Sequence, residues 1–387
     1  MLYSADALCQ KLLCQCGLCQ CAHGRLALRA AGRSVPVRQP PQVAGSYTGS
    51  ARTSTAVNTA LIQLAAAGLY CAAGDFHIDP WRPVPRAVIT HAHSDHARAG
   101  SALYFAHLDS LPLLRWRLGA DANLQGVAYG ERFRLGRAWV SLHPAGHVLG
   151  SAQVRVEADD EVWVASGDYK RDADPTCAGF EVLPCDTFIT EATFALPVYR
   201  WRPTADVARE VLDWWRGCAE RGEVAVLGCY ALGKAQRLLA ELGALGAGRV
   251  LLHGAMLPAV EIYRDAGVQL PPTAAVSEQA KGMDLAGELV LAPPSALGTP
   301  WMRRFKRAST GFASGWMQVR GNRRRRGFDR GFVLSDHTDW PGLIDTVIGT
   351  GARRVLATHG STDVLVRYLA ERGIEAQALK TELGGEN

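Results

Sequence analysis

Five short apolar, β-rich runs in this chain each end on an acid or a histidine. Residues 87–90 (AVIT) lead to His91, residues 161–166 (EVWVAS) to Gly167 and Asp168, and residues 187–190 (TFIT) to Glu191. Residues 331–335 (GFVLS) lead to Asp336 and His337, and residues 354–358 (RVLAT) to His359. Runs of this kind, with helical patterns between them, predict an α/β chain. In layered α/β folds the reactive groups gather where strands end, because loops converge there on a rigid sheet. The same pattern therefore constrains both the fold and the place where its chemistry sits.

The first run continues as VITHAHSDHARAG (88–100). His91 and His93 are two residues apart, so in extended backbone their imidazoles point to one side and grip one ion. Asp95 and His96 follow a bend and diverge, which suits a second ion. The string HPAGHVLGSA (143–152) puts His147 in a Gly-flanked turn, and SGD (166–168) provides Asp168, whose two oxygens can span both ions. Nitrogen and oxygen donors of this kind suit two divalent cations, zinc first and manganese or iron as alternatives. His107, His143 and His253 have no such neighbours and read as packed core residues.

The class of protein is narrowed by composition. The chain has 387 residues, 48% of them hydrophobic, and shows no apolar run of membrane-spanning length, which predicts a soluble globular protein without a membrane partner. Net charge is only +5, but its distribution is uneven. Between Arg303 and Arg330, Arg303, Arg304, Lys306, Arg307, Arg320, Arg323, Arg324, Arg325, Arg326 and Arg330 face the single acid Asp329. That run reads either as a polyanion footprint, centred on Arg323 to Arg326, or as a solvated charged face.

Five of the ten cysteines lie between Cys9 and Cys21 and the others are scattered, unlike a secreted disulfide framework. With no signal-peptide pattern at the N-terminus, the expected compartment is the cytoplasm. Residues 1–55 lack periodicity and read as a disordered extension. Their CQCGLCQC (14–21) is crowded and has no second ligand pair at zinc-finger distance.

HxHxDH, GHxxGS and SGD, in that order, resemble the metallo-β-lactamase fold, an αββα sandwich, from about Leu61 to Leu379. GDFHIDPWRP (74–83) supplies the aspartate that this family carries ahead of the first motif, so the resemblance implies that Asp79 supports the metal shell. It also implies that His91, His93 and His147 hold a first metal, Asp95 and His96 a second, and that Asp168 bridges them. After ITEATF (189–194) the pattern is interrupted for more than a hundred residues before LSDHTDW (334–340) and LATHGSTD (356–363).

That arrangement resembles the β-CASP nucleases, in which an α/β cap is inserted into the metal fold. The implied layout is an extension over 1–55, a first part of the metal domain over 56–195, the cap over 196–315, and the metal domain completed over 316–387. Glu191, His337 and His359 match the three further β-CASP motifs. The resemblance implies that His359 completes the second metal's shell and that His337 contacts the scissile phosphate and protonates the leaving oxygen. Glu191 would orient that ring, and Asp95 would orient or deprotonate the nucleophile.

GLYCAAGDFHIDPWRPVPRAVITHAHSDHARAG (68–100), SGDYKRD, ITEATFALPVYRW, SGWM and LSDHTDWPGL are together most similar to the bacterial ligase-associated DNA exonucleases. The resemblance implies a DNA exonuclease in end processing, with an ATP-dependent DNA ligase and a helicase as partners. His359 pulls toward RNA, because RNA-processing members carry histidine there while animal DNA-repair members carry an apolar residue.

GCYALGKA (228–235) has the spacing of a phosphate loop, but Ala235 stands where a Ser or Thr would hold magnesium. An ATPase is therefore not expected. The predicted strand-to-helix turn could still cradle a backbone phosphate, with Lys234 assisting. Two other classes fit less well. A small-molecule hydrolase would need neither Glu191, His337 and the insertion nor the arginines, and a metal-free binding module would be expected to have lost ligands.

Overall fold

Residues 138–165 show how alternation in the sequence becomes a buried sheet. Along AWVSLHP and AQVRVEA, Val140, Leu142, Val154 and Val156 are buried while Trp139 stays exposed. That is the period-two pattern of a sheet with one face packed. Asp159 and Asp160 both have positive φ (51° and 63°), the geometry of a two-residue hairpin turn that asparagine, aspartate and glycine tolerate.

The computed structural model describes residues 60–280, 283–319 and 327–381. The N-terminal extension, its cysteine cluster, Arg320 and Arg323 to Arg326 lie outside them. The first strands are β1 (Gln63–Ala65), β2 (Gly68–Cys71), β3 (Phe76–Ile78), β4 (Ala87–Val88), β5 (Tyr104–His107) and β6 (Leu124–Val127), which form a sheet in that order. Helix α1 (Leu111–Leu118) lies between the last two. Next come β7 (Arg132–Leu135), β8 (Ala138–Pro144), β9 (Ala152–Ala158), β10 (Glu161–Ala165) and β11 (Thr187–Ala192).

The chain then runs through α2 (Thr204–Glu220), β12 (Val224–Gly228), α3 (Lys234–Ala244), β13 (Val250–Leu252), α4 (Leu257–Asp265), β14 (Thr273–Ala275), β15 (Leu289–Ala292), β16 (Ala308–Ala313) and β17 (Arg330–Phe332). It closes with α5 (Trp340–Thr350), β18 (Arg354–Gly360), α6 (Thr362–Ala370) and β19 (Glu375–Ala378).

The second sheet has the order β19-β18-β11-β10-β9-β8-β7, so its last two strands join β11 after the long excursion. Leu69, Ile78, Val88, Leu142, Val154, Trp163 and Ile189 form one core between the first and second sheets. On the far side of the second sheet, Val164, Phe188 and Val355 pack on Leu343 and Val347 of α5 and Leu365 and Leu369 of α6. On the far side of the first, Ala87, Tyr104 and Ala106 pack on Leu113 and Leu114 of α1 and on Ala259 and Tyr263 of α4. The result is a helix–sheet–sheet–helix sandwich.

The excursion builds a third sheet, β14-β13-β15-β12-β16-β17, with every pairing parallel. Parallel neighbours require crossovers and are covered on both faces, which explains why VAVLG of β12 and LVLA of β15 are buried throughout. This sheet ends at β17, which pairs with β16 through Gly311↔Arg330. The excursion therefore runs past the expected boundary at 315, and the sandwich resumes only after Phe332. The reason is that Gly331 and Phe332 complete the edge of the parallel sheet instead of leading directly into Asp336. Among the described residues, no helix is long and apolar enough to cross a membrane.

Between β8 and β9 the chain makes a turn that only glycine accommodates. Gly146, next to His147, has φ +72°, and a Cβ there would lie 2.3 Å from the carbonyl oxygen of Lys170. Gly146→Ala is expected to lower unfolding free energy by about 1–2 kcal/mol from backbone conformation, with the clash adding to it. Urea denaturation checks this, and an unchanged midpoint would show that the turn has room to relax.

Candidate metal centre

The ends of the strands bring the polar residues into one place. Asp79 follows β3, His91, His93 and His96 follow β4, His147 sits in the β8–β9 turn, and Asp168 follows β10. Glu191 lies within β11, His359 within β18, and His337 between β17 and α5. Two of these residues hold unusual backbone: Asp79 has φ 43° and His359 has φ 28°. Positive φ at non-glycine residues persists where the surroundings over-determine it, and such residues cluster at functional sites.

Three imidazoles meet edge to edge. Nδ1 of His93 is 3.1 Å from Nε2 of His91 and 3.1 Å from Nε2 of His147. The other nitrogen of each ring has an oxygen partner outside the cluster. Nδ1 of His147 donates to the carbonyl of Asp336 (2.9 Å) and Nε2 of His93 donates to the carbonyl of Leu232 (3.2 Å). Nδ1 of His91 meets the Thr90 hydroxyl (3.0 Å), which itself donates to Asp79 Oδ2 (2.5 Å).

These partners turn the protons outward, so three lone pairs converge with no hydrogen between them. Burial also lowers the pKa of His91 and His147 well below the ordinary histidine value, and the neighbouring imidazoles push it further. Repelling lone pairs at this spacing require a cation. Tetrahedral zinc with nitrogen ligands at about 2.05 Å has an edge of about 3.3 Å, close to the spacing seen.

Asp168 joins this group to a second one. Its Oδ2 is 3.4 Å from Nε2 of His96, 3.6 Å from Nε2 of His91 and 3.9 Å from Nε2 of His147. Its Oδ1 is 3.0 Å from Nε2 of His359. Burial alone would raise the Asp168 pKa, but the charge of His96 and hydrogen bonds from His359 and His96 hold it well below the usual carboxylate range. His96 is also buried, yet Asp168 and Asp79 outweigh that and raise its pKa well above the ordinary value. Asp79 Oδ2, 2.7 Å from Nδ1 of His96, keeps a proton on that nitrogen and turns Nε2 toward the centre. The two groups, His91–His93–His147–Asp168 and His96–Asp168–His359, share the aspartate.

A third group adjoins them. Glu191 accepts from the backbone N–H of Tyr169 through Oε1 (2.7 Å), and its Oε2 is 2.8 Å from Nδ1 of His337. All of this fronts a cleft of about 510 Å³, which His93, Asp95, Asp168, His337 and His359 line. Asp95 stands apart from the converging donors: it is on the cleft wall with Oδ2 3.9 Å from Nε2 of His96.

Two readings of the sequence are corrected. Lys234 is fully buried, with Nζ 3.2 Å from Asp336 Oδ2, so it does not reach a backbone phosphate. The α3 N-terminus is turned into the molecule, where Gly233 meets Val148. Of the three histidines read as core, His107 is buried and stacks on Tyr129, but His143 and His253 lie at the edge. Polar partners hold both there: His143 bridges Ser141 and the exposed Glu181, and His253 accepts from the N–H of Ala255 beside Trp301.

Sequence reasoning missed Arg237, Trp116, Arg117 and Tyr230. Arg237 donates to the carbonyl of His147 (3.1 Å) and to Asp336 Oδ1 (2.6 Å), and also pairs with Asp174. Its position after GKAQ and the acid beside His337 were the available signal. The others line the cleft and carry no local pattern.

A protein named as a probable DNA ligase, from Opitutus terrae, is 32% identical over 321 residues, 81% of this chain. Endoribonuclease ysh-1 of Neurospora crassa is 27% identical over 136 residues, 34% of this chain. The chain spans 30% of the first relative and 15% of the second. No family model matches the sequence.

The relatives together support the metallo-β-lactamase-fold β-CASP nuclease family. A crystal structure of a protein from Enterococcus faecalis shares this chain's fold with a TM-score of 0.52 at 10% identity, covering 77% of this chain and 80% of that one. The His/Asp cluster and the nuclease relatives indicate divalent metal binding.

Bound metal should stabilise the native state by about 4 kcal/mol when free metal is a thousand times its dissociation constant. Excess chelator should therefore lower the melting temperature by several degrees. The gain should be full at alkaline pH and fade as pH falls through the raised His96 value, since a proton then competes for Nε2. A melting curve indifferent to chelator at pH 8 would rule out the metal.

Proposed function

We propose that this chain is a two-metal nuclease that hydrolyses phosphodiester bonds of DNA, working from an end. The convergence of proton-free imidazole nitrogens beside the Glu191–His337 pair carries the reading. Two divalent cations held by His91, His93, His147 and by His96 and His359, with Asp168 between, would supply Lewis acidity and bring the pKa of water toward about 7.

The remaining work belongs to the protein. Asp95, on the cleft wall, is placed to orient the attacking water and accept its proton. His337 hands a proton to the leaving oxygen, and Glu191 fixes the ring for that transfer through Nδ1. Asp79 acts through His96, holding its ring rather than touching substrate. The exposed Arg303, Arg304, Lys306, Arg307 and Arg330 hold the strand by its phosphates, without reading bases.

DNA is favoured because the relative that aligns over 81% of the chain is named as a ligase. A ligase acting on the same ends is the partner this implies. The second reading is a ribonuclease, favoured by the ysh-1 endoribonuclease among the relatives and by His359.

Matched DNA and RNA strands labelled at either end, incubated with manganese, zinc or chelator, separate the readings. Metal-dependent shortening of DNA gives the activity and its polarity, while preferential loss of RNA replaces the first reading by the second. His93→Ala and Asp168→Ala should abolish hydrolysis and leave strand binding in place. His337→Ala should lower kcat by about 10²–10⁴-fold. Full activity in Asp168→Ala would break the assignment.

A further inference from the structure

The cleft has a wall that the hydrolytic chemistry does not use. Trp116 and Arg117 of α1 approach from one layer, and Tyr230, on the loop after β12, approaches from another. Helix α1 buries Leu113 and Leu114 in the core, so Trp116 is not needed there, and the ring remains 40% exposed. A large aromatic left open at a catalytic cleft is an unsatisfied apolar surface that a ligand can cover.

Each ring is also backed by a cation. The Arg117 guanidinium lies 5.5 Å from the Trp116 centroid and is tethered by its Nε to the carbonyl of Ala92 (2.6 Å), inside the HxHxDH loop. The Lys234 ammonium lies 4.4 Å from the Tyr230 centroid and is locked by Asp336. Ala231, Leu232, Pro293 and Pro294 complete the apolar part of the wall, and the hydroxyls of Ser94, Thr193 and Ser295 lie beside it. The volume, about 510 Å³, lies in the range of about 300–1,000 Å³ that takes a single small ligand, enough for one unstacked nucleotide.

We infer that Trp116 and Tyr230 form a base-stacking subsite that grips the nucleotide next to the scissile phosphate, whatever its base. The inference rests on the nuclease reading and deepens it. The site takes a single strand or a frayed end, and holds it by π-faces that every base possesses. Because Arg117 is tied to Ala92 between two metal-seeking histidines, the stacking wall and the donor cluster share one loop and keep a fixed spacing.

The test is an isothermal titration of the full chain in chelator with deoxyadenosine 5′-monophosphate and with deoxyribose 5-phosphate, which lacks the base. The nucleotide should bind about tenfold or more tighter than the sugar phosphate. Trp116→Ala should remove most of that difference, leave sugar phosphate binding unchanged, and be rescued by Trp116→Phe. Tyr230→Ala should act in the same direction.

In hydrolysis, Trp116→Ala should raise KM for an intact strand about tenfold and not for one abasic at the degraded end. Equal losses on intact and abasic ligands, or no loss in either variant, would overturn the subsite. If the wild type hydrolyses no strand with any metal yet shows the Trp116-dependent preference for the nucleotide, the nuclease reading fails and the subsite stands.

Discussion

The structure depends on where three protons point. His91, His93 and His147 each face the centre with the nitrogen that carries no hydrogen, because Thr90, Leu232 and Asp336 each meet the opposite nitrogen. These three partners come from different places: the end of β4, the loop between β12 and α3, and the return from β17 to α5. The donor cluster is therefore not a property of the sandwich alone. The excursion that builds the third sheet contributes the carbonyl that sets the His93 tautomer, and the segment that follows it sets His147.

The same junction carries a buried ionic network that fixes it mechanically. Arg237 of α3 is 1% exposed in its side chain, and touches Asp174, Asp336 and two backbone carbonyls. Burial acts against its charge, but Asp174 and Asp336 hold its pKa above the usual arginine value. Lys234 pairs with the other oxygen of Asp336. Such networks add little net stability over a well-packed apolar core, but losing one partner strands a buried charge at a cost of about 3–5 kcal/mol. What this one provides is register, since α3 can seat only where Asp336, and with it His337 and the His147 partner, is in place.

Much of this was legible in the sequence because metal chemistry imposes spacing. His91 and His93 two apart, His147 in a glycine turn and Asp168 at a strand end follow from local rules, and the fold brings them together. The strand β12 was also readable, as the apolar run that leads into the predicted strand-to-helix turn at GCYALGKA. Lys234 was misread because a phosphate-loop string fixes only the turn, while burial decides whether the lysine faces a ligand or an aspartate a hundred residues away. The third sheet's edge at Phe332 was missed for a related reason: GFVLS is one apolar run, but pairing with β16 ends inside it. Trp116 and Tyr230 had no signal at all, because their roles come only from two layers meeting across a cleft.

That difference bears on specificity. On the proposed reading, the donor set that the sequence announces acts on a phosphodiester, which DNA and RNA share, so no arrangement of His91, Asp168 or His337 distinguishes them by metal chemistry alone. Discrimination must come from groups that meet the sugar, the base or the strand beyond the scissile bond. In this chain the candidates for those groups lie on α1, on the loops after β12 and β15, and on the basic surface near β16. These are the parts least bound by ligand spacing, and substitutions there can redirect the substrate while the centre stays the same.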